Sequence, residues 1–212
     1  MKILNLYAGI GGNRMLWGQE HEVTSVEWNE SVAEAYKKFF PNDTVIVADA
    51  HEYLKDNFYK YDFIWSSPPC QTHSRVRQCA AKNYYYGSCS KKSKGCYPVY
   101  PDMKLWQEII FLQNHYKGDW VIENVIPYYK PFIPPSFTYG KHLYWSNKTL
   151  LLPKIVSNRA CSDYDTVGDL EKNRGINLSG FKFIGITKRT VLRNMVEPKD
   201  AKVIFDAITK GV

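Results

Sequence analysis

Short apolar runs alternate with amphipathic stretches along the first 126 residues of the chain. Five of these runs have the length of buried strands, and they lie near residues 2–7, 22–26, 44–47, 61–65 and 119–123. Residues 31–40 carry apolar side chains at helical spacing, and a second helix is predicted to begin near Asp102 and to end before Gly118. Strands that alternate with helices predict an α/β fold with a mostly parallel sheet.

The C-terminal part of the chain has a less regular pattern. Residues 127–136 are rich in proline and predict a connecting loop, while residues 140–152 are strand-like and aromatic. Residues 153–180 show little periodicity, so we expect a small irregular insert there. Apolar positions between 198 and 208 share one helical face and predict a final helix.

Length and composition indicate one globular domain with its own core. The chain has 212 residues and a net charge of +7. Its five cysteines are odd in number and contain no Cys-x-x-Cys pair, which favours a reducing cytoplasm, and we find no signal peptide and no membrane span. The spacings of Cys79, Cys89 and Cys96, with His73 nearby, fit no common zinc finger, so no metal is expected.

Candidate chemistry begins with Cys70, which follows a predicted strand and two prolines in the sequence Trp-Ser-Ser-Pro-Pro-Cys-Gln. Proline fixes φ and lacks an N–H donor, so the strand must end here and the cysteine is presented on a rigid turn. Such a turn at the carboxyl edge of a parallel sheet suits a nucleophile. A helix N-terminus or Arg75 would lower the pKa of this thiol. The alternative is a small, inert apolar side chain.

Two further segments carry residues suited to a site. The strand near 119–123 ends in Glu123 and Asn124, and a carboxylate there is costly to bury without a partner or a task. The first strand runs into the glycine-rich sequence Asn-Leu-Tyr-Ala-Gly-Ile-Gly-Gly, which allows a tight turn close to a ligand. Arg14 stands where a dinucleotide-binding fingerprint needs its last glycine, which disfavours a nicotinamide-dependent oxidoreductase.

Together these segments resemble the DNA (cytosine-5) methyltransferases. The cofactor loop of that family matches residues 7–12, its Pro-Cys-Gln turn matches residues 69–71, and its Glu-Asn-Val strand end matches residues 123–125. The resemblance implies a Rossmann-like S-adenosylmethionine-dependent methyltransferase fold. It also implies methyl transfer from S-adenosylmethionine to cytosine C5 in DNA, through a covalent adduct between Cys70 and C6 of a flipped-out base, with Glu123 as the second catalytic residue.

The resemblance assigns a set of residues that would bind the cofactor. The expected cofactor-binding residues are Tyr7, Ala8, Gly9, Gly11, Gly12, Glu27, Trp28, Asp49, Ala50, Pro69 and Asn194. Within that set, Glu27 would bind the ribose, Trp28 would pack on adenine and Asp49 would accept from the adenine amino group.

The partner that the resemblance implies is double-stranded DNA, bound by a monomer. Residues 75–94 are basic, contain no Asp or Glu, and suit a phosphate backbone. The family's Gln-x-Arg-x-Arg segment has no arginine here, and Lys141 or His142 takes its place. The expected nucleic-acid-binding residues are Gln71, Ser74, Arg75, Arg77, Lys82, Lys91, Lys92, Lys94, Lys141 and His142.

The predicted division of the chain follows the same resemblance. Residues 1–152 and 186–212 would form the catalytic domain, and residues 153–185 a minimal target-recognition insert. The size suits a stand-alone modification enzyme of a bacterium or a phage-infected cell. Two alternatives stay open, namely a tRNA cytosine-5 methyltransferase and a catalytically impaired homologue that only binds nucleic acid.

Overall fold

The computed structural model describes residues 1–75, 99–150, 152–153 and 165–211. The strands are β1 (Lys2–Leu6), β2 (Glu22–Glu27), β3 (Thr44–Val47), β4 (Phe63–Ser66), β5 (Asp119–Val125), β6 (Phe137–Tyr139) and β7 (His142–Ser146). The helices, numbered within these residues, are α1 (Glu30–Phe39), α2 (Ala50–Asn57), α3 (Lys104–His115), α4 (Val167–Arg174), α5 (Lys188–Asn194) and α6 (Pro198–Lys210). Short 3₁₀ turns cover Asn13–Leu16 and Phe58–Lys60. No described helix is long and apolar enough to cross a membrane.

The seven strands form one sheet in the order β3-β2-β1-β4-β5-β7-β6. Strands β1 to β5 run parallel to their neighbours, and β7 pairs antiparallel with β5 and with β6. All five predicted strands are present, and their ends differ from the prediction by no more than two residues. The predicted α/β, mostly parallel architecture is confirmed.

Alternate residues of the strands point into two apolar layers, as a sheet covered on both faces requires. On one face, Leu4, Ile64 and Ile122 pack with apolar residues of α2 and α3. On the other face, Ile3 and Phe63 pack with α6. A third apolar cluster joins α1 to α4 and α5. Both faces of the sheet are therefore buried, and its carboxyl edge carries the loops.

Helix α1 begins one residue before the predicted stretch 31–40, and its N-cap is Asn29. The Asn29 side chain accepts from the Val32 N–H, while the Ser31 hydroxyl donates to the Asn29 side chain across 2.6 Å. The helix predicted from Asp102 runs over Lys104–His115, and the last helix extends to Lys210.

Part of the segment predicted to be irregular is helical. Helix α4 begins at a capping box formed by Thr166 and Asp169, and it ends at Gly175 in the left-handed conformation, φ 64°. The expectation of an irregular segment is therefore wrong over Val167–Arg174. Both ends are visible in the sequence as Thr-x-x-Asp and a following glycine, but the helix has only Leu170 fully buried, so its apolar periodicity is weak.

Candidate active site

The carboxyl ends of the parallel strands meet at one edge of the sheet. Tyr7 follows β1, Glu27 ends β2, and Asp49 follows β3. Cys70 lies four positions after the end of β4, and Glu123 lies near the end of the adjacent β5. The topology therefore places the predicted glycine loop, acidic residues and cysteine along the same edge, where open α/β sheets bind ligands.

The glycine loop turns sharply because three of its residues, Tyr7, Gly9 and Gly11, have positive φ values. Tyr7 has φ 55° although it has a side chain, and Gly9 has the same φ. A Cβ placed on Gly9 would meet nothing within 4 Å, so there is open space beside this backbone. The Gly9 N–H donates to Glu27 Oε2 across 3.0 Å, which ties the loop to the end of β2.

Gly11 and Gly12 lie in close packing, where there is no room for a side chain. A Cβ on Gly11 would lie 2.3 Å from the Phe40 ring, and one on Gly12 would lie 2.3 Å from the Val196 carbonyl oxygen. The loop is therefore pressed against the end of α1 on one side and the segment after α5 on the other. Asn194 is exposed at the end of α5, two residues before Val196, and its predicted cofactor contact stays a prediction.

The predicted cofactor acids have different environments. Glu27 is buried and accepts from two backbone N–H groups, those of Gly9 and Asn29, and burial raises its pKa. Asp49 is more exposed and caps α2, and its other oxygen accepts from Lys104 Nζ across 2.9 Å. That hydrogen bond holds the pKa of Asp49 below its usual range. Ala50, the first residue of α2, is buried.

Trp28 is an exposed aromatic residue beside these polar groups. Its side chain is 71% exposed, although Trp is normally among the more buried residues. An exposed indole ring next to the Glu27 carboxylate, with open space at the Gly9 backbone, suits a nucleoside. A nucleoside has one flat apolar part and one hydroxylated part. The residues present thus fit the adenosyl part of S-adenosylmethionine.

The turn that carries Cys70 is held by hydrogen bonds from both sides. The Cys70 carbonyl oxygen accepts from the N–H groups of His73 and Ser74, each across 3.0 Å. Asn124 Nδ2 donates to the Pro68 carbonyl oxygen across 2.9 Å, which connects the end of β5 to the same turn. The two prolines differ, since Pro68 is buried and Pro69 is exposed.

Burial raises the pKa of the Cys70 thiol to about 11, and the nearby charge of Glu123 acts in the same direction. The expectation that a helix N-terminus or Arg75 lowers this pKa is therefore wrong. Arg75 is exposed. The pKa of the thiol is set mainly by its burial and then by the Glu123 carboxylate. A thiol with a pKa of about 11 is protonated at neutral pH.

Glu123 is buried and lies 3.5 Å from His142 Nε2. The antiparallel pairing of β5 with β7 sets His142 opposite Val125, which brings its ring beside Glu123. Lys141, the other residue proposed for the missing arginines, is exposed in the turn that precedes β7. Of the two candidates, the structure brings His142 to the carboxylate.

The remaining residues predicted to bind nucleic acid lie around Cys70 or outside the described part of the chain. Gln71 is exposed, as is Arg75, while Ser74 forms an isolated bridge with Pro127. Five residues lie outside the described residues, namely Arg77, Lys82, Lys91, Lys92 and Lys94. Three of the cysteines weighed for a metal site, Cys79, Cys89 and Cys96, also lie outside them. Within the described ranges, His, Cys, Asp and Glu form no group that could hold a metal.

One buried acid at this edge, Glu108, was not predicted from the sequence. It lies on α3 with no exposed surface and contacts Tyr7, His51 and Ser66. A signal was present, because an acid at position 108 falls on the apolar stripe that Leu105, Ile109 and Leu112 define at helical spacing. An acid on such a stripe needs buried partners.

Arg14, which breaks the dinucleotide fingerprint, has a structural partner. It is 1% exposed, and its Nε and Nη2 bind the two oxygens of Asp43 across 2.9 and 3.0 Å. Its third nitrogen donates to the Gly18 carbonyl oxygen. The Arg14 guanidinium is therefore buried and paired within the fold, so it is not available to bind a phosphate.

Comparison with known proteins agrees with this arrangement. Residues 1–87 match the family model described as C-5 cytosine-specific DNA methylase, which confirms the predicted resemblance and its cofactor, S-adenosylmethionine. The Entamoeba histolytica methyltransferase EhMeth is similar over 100% of this chain and 98% of its own, with 10% identity and a TM-score of 0.53. This likeness supports the methyltransferase fold.

A DNMT2 structure from Spodoptera frugiperda is 25% identical over 58% of this chain, with a TM-score of 0.37. This chain spans 35% of the length of that protein. A comparison with curated proteins gave no match.

Proposed function

We propose that this chain, whose residues 1–87 match the family model of C-5 cytosine-specific DNA methylases, methylates cytosine C5 in double-stranded DNA through a covalent intermediate. The family match supports cytosine methylation with S-adenosylmethionine. The DNA substrate and the covalent route are our proposals, and they rest on the geometry of the residues at the carboxyl edge of the sheet.

The observation that carries the proposal is the convergence of Cys70 and Glu123. They stand at the ends of two adjacent parallel strands, the Glu123 charge acts on the Cys70 thiol, and Asn124 holds the intervening turn through Pro68. A thiol and a carboxylate in one partly buried site are the two groups needed to add a nucleophile to a base and to hold its ring nitrogen.

Cytosine C5 is a poor nucleophile because the ring is aromatic and electron-poor. When the Cys70 sulfur adds to C6, the thiol gives up its proton, which the neighbouring Glu123 can carry to the ring nitrogen N3. The addition breaks the aromaticity and makes C5 electron-rich. C5 would then take the methyl group from the sulfonium sulfur of S-adenosylmethionine, which would leave as S-adenosylhomocysteine. Glu123 holds N3 and the exocyclic amine and stabilises the charge that develops on the ring. A water molecule then accepts the C5 proton, and the Cys70 sulfur leaves C6 and takes back the N3 proton through Glu123, so that the ring is aromatic again and Cys70 is a free thiol. The base must leave the duplex to reach this site, at a cost of a few kcal/mol.

The cofactor would be held by the glycine loop and the acidic strand ends. S-adenosylmethionine supplies an electrophilic methyl group on a sulfonium sulfur. Trp28 and Glu27 are suited to adenine and ribose, Asp49 to the adenine amino group, and the open backbone at Gly9 to the adjoining part of the molecule. Burial raises the pKa of Glu27 although its two backbone donors act in the opposite direction, and its oxygens can accept from hydroxyl groups.

We propose the predicted division of the chain as well. Helix α4 and the residues that follow it, in the proposed target-recognition insert 153–185, pack onto the catalytic part through Leu170, Leu178 and Ile10. Ile10 belongs to the glycine loop, so the insert is anchored beside the cofactor loop. The net charge of +7 favours a polyanionic partner.

The function is tested by incubating the full chain with labelled S-adenosylmethionine and either duplex DNA or tRNA, followed by mass analysis of the nucleosides. We expect 5-methylcytosine in DNA with the wild-type protein and none with Cys70→Ser. DNA containing 5-fluorocytosine should trap the wild-type protein covalently. Methyl transfer to tRNA alone would replace the DNA proposal with the tRNA alternative. Binding of DNA with no transfer to either substrate would leave a nucleic-acid-binding homologue.

A further inference from the structure

A single buried carboxylate connects three segments of the candidate site. Glu108 lies on α3 and has no exposed surface. Its Oε1 accepts from the Tyr7 hydroxyl across 2.5 Å and lies 3.1 Å from His51 Nδ1, and its Oε2 accepts from the Ser66 hydroxyl across 2.8 Å. A buried carboxylate is tolerated only when its oxygens are satisfied in this way.

Two of these partners, Tyr7 and Ser66, lie on the two segments proposed to bind the cofactor and to carry the nucleophile. Tyr7 begins the glycine loop and is the one described non-glycine residue with a positive φ, 55°. Ser66 is the last residue of β4, four positions before Cys70. The bond from Tyr7 to Glu108 joins residues 101 positions apart, and that from Ser66 joins residues 42 positions apart. One side chain thus fixes the distance between the cofactor loop and the root of the cysteine turn.

Helix α3 also contacts Asp49, the residue that follows the third strand, β3. Lys104, one turn before Glu108, donates to Asp49 Oδ2 across 2.9 Å, and His51 on α2 contacts Glu108 itself. The hydrogen bond to Glu108 raises the pKa of His51, and burial together with Glu108 raises the pKa of Tyr7. Both directions are those expected of groups that donate hydrogen bonds to a carboxylate.

We propose that Glu108 is a positioning residue, which sets the cofactor loop through Tyr7 and the cysteine turn through Ser66 so that both hold one relative placement. This proposal rests on the proposed function. The strained φ of Tyr7 explains why a strong partner is needed, since a charge-assisted hydrogen bond offsets the cost of a left-handed non-glycine residue. Ser66 and Tyr7 act on separate oxygens, so their effects are separable by mutation.

Three variants separate the two connections. Tyr7→Phe removes the hydroxyl from the cofactor side and should weaken S-adenosylhomocysteine binding by roughly tenfold, with little change in the rate at which 5-fluorocytosine DNA traps Cys70 at saturating cofactor. Ser66→Ala should slow trapping by a similar factor and leave cofactor affinity near that of the wild type. Glu108→Ala should impair both.

Glu108→Gln is the conservative rescue. Its amide keeps an oxygen that accepts from Tyr7 and a nitrogen that donates to Ser66 Oγ, so it should recover a large part of both measurements. Gln113→Ala, an exposed position on the same helix, should match the wild type in every measurement. If Glu108→Ala does not fold, the Tyr7 and Ser66 variants, each of which removes one hydroxyl, decide the question.

A measurement without substrate distinguishes failure of this proposal from failure of the proposed function. The rate at which iodoacetamide alkylates Cys70 is followed by peptide mass analysis in folded Ser66→Ala and Glu108→Ala. A loosened turn exposes the thiol, and a fall of one unit in its pKa raises this rate by roughly tenfold at pH 8.

Wild-type protein that neither binds S-adenosylhomocysteine nor traps DNA would refute the proposed function, while the alkylation rates would still test Glu108. Alkylation, binding and trapping that are all unchanged in the folded variants would overturn the positioning role.

Discussion

The side-chain amide of Asn124 donates to the carbonyl oxygen of Pro68 across 2.9 Å, and these residues are 56 positions apart. The oxygen of the same amide accepts from the Val125 N–H across 3.0 Å, so its orientation is defined by two bonds. Because Asn124 follows Glu123 directly, the strand that supplies the carboxylate also holds the turn that carries Cys70. The spacing of thiol and carboxylate thus depends on Asn124, whose side chain bonds to Pro68 and Val125.

Replacing Asn124 with Ala should slow covalent trapping of 5-fluorocytosine DNA without weakening cofactor binding. The change leaves the buried Pro68 carbonyl without its donor, which costs about 1–2 kcal/mol, and a loss of that size at the reacting geometry lowers a rate roughly five- to 30-fold. Trapping kinetics and calorimetric titration with S-adenosylhomocysteine measure the two effects. The matched control is Asn147→Ala, which removes a similar bond to the Gly118 carbonyl oxygen at an exposed place. Equal losses in both variants would contradict the role of Asn124.

Alkylation of Cys70 in the free protein should be slow at neutral pH and should rise by about tenfold per pH unit up to about pH 10. The thiol has its pKa raised to about 11, first by burial and then by Glu123, so the thiolate is a very small minority at neutral pH. Peptide mass analysis after timed exposure to iodoacetamide gives the profile.

Glu123→Gln removes the second cause and should shift this alkylation profile to lower pH, because a neutral side chain no longer opposes the thiolate. The remaining burial should keep the pKa above the ordinary thiol value. A wild-type profile that levels off near pH 8.5, the usual range for a free cysteine, would show that the thiol is not raised.

Trp28→Ala should weaken binding of S-adenosylhomocysteine by roughly five- to 30-fold, since a stacked aromatic contact contributes about 1–2 kcal/mol. The ring is 71% exposed, so its removal should leave the urea midpoint of unfolding unchanged. Tyr59→Ala is the control, because Tyr59 is 68% exposed, lies in the 3₁₀ turn after α2 and is not among the expected cofactor-binding residues. Identical affinities for the wild type and Trp28→Ala would remove Trp28 from the cofactor site.

Asp43→Ala should lower the free energy of unfolding by about 3–5 kcal/mol, because it leaves the buried Arg14 guanidinium without a counter-charge. Tyr36 loses a partner as well, since its hydroxyl donates to Asp43 across 2.7 Å. Urea denaturation followed by circular dichroism measures the change. Lys55→Ala breaks an exposed pair with Glu52 and should leave the midpoint where it is. A loss no larger than that of the Lys55 control would mean that Arg14 and Asp43 are not coupled.

The strand-end residues were accessible from the sequence because their signals are local. A proline pair before Cys70, a glycine loop after β1 and a carboxylate closing β5 each follow an apolar run, and parallel strands bring their carboxyl ends to one edge. The order of these segments was therefore enough to predict the edge at which Tyr7, Glu27, Cys70 and Glu123 meet. Asn29 before α1 and the Thr-x-x-Asp box at the start of α4 are also recognisable in the sequence. Helix α4 was nevertheless not predicted, because its apolar periodicity is weak.

The contacts that tune the site come from pairs far apart in the chain, and only the tertiary structure decided them. His142 reaches Glu123 because β7 reverses against β5, a pairing that no local pattern specifies. Arg14 interrupts a glycine motif but is satisfied by Asp43, and Glu108 interrupts an apolar stripe but is satisfied by Tyr7 and Ser66. The pKa of Cys70 follows from how much of the thiol is buried, which is a property of the packed fold. Sequence specifies which groups are available at a sheet edge, whereas burial and long-range partners specify their charge and placement.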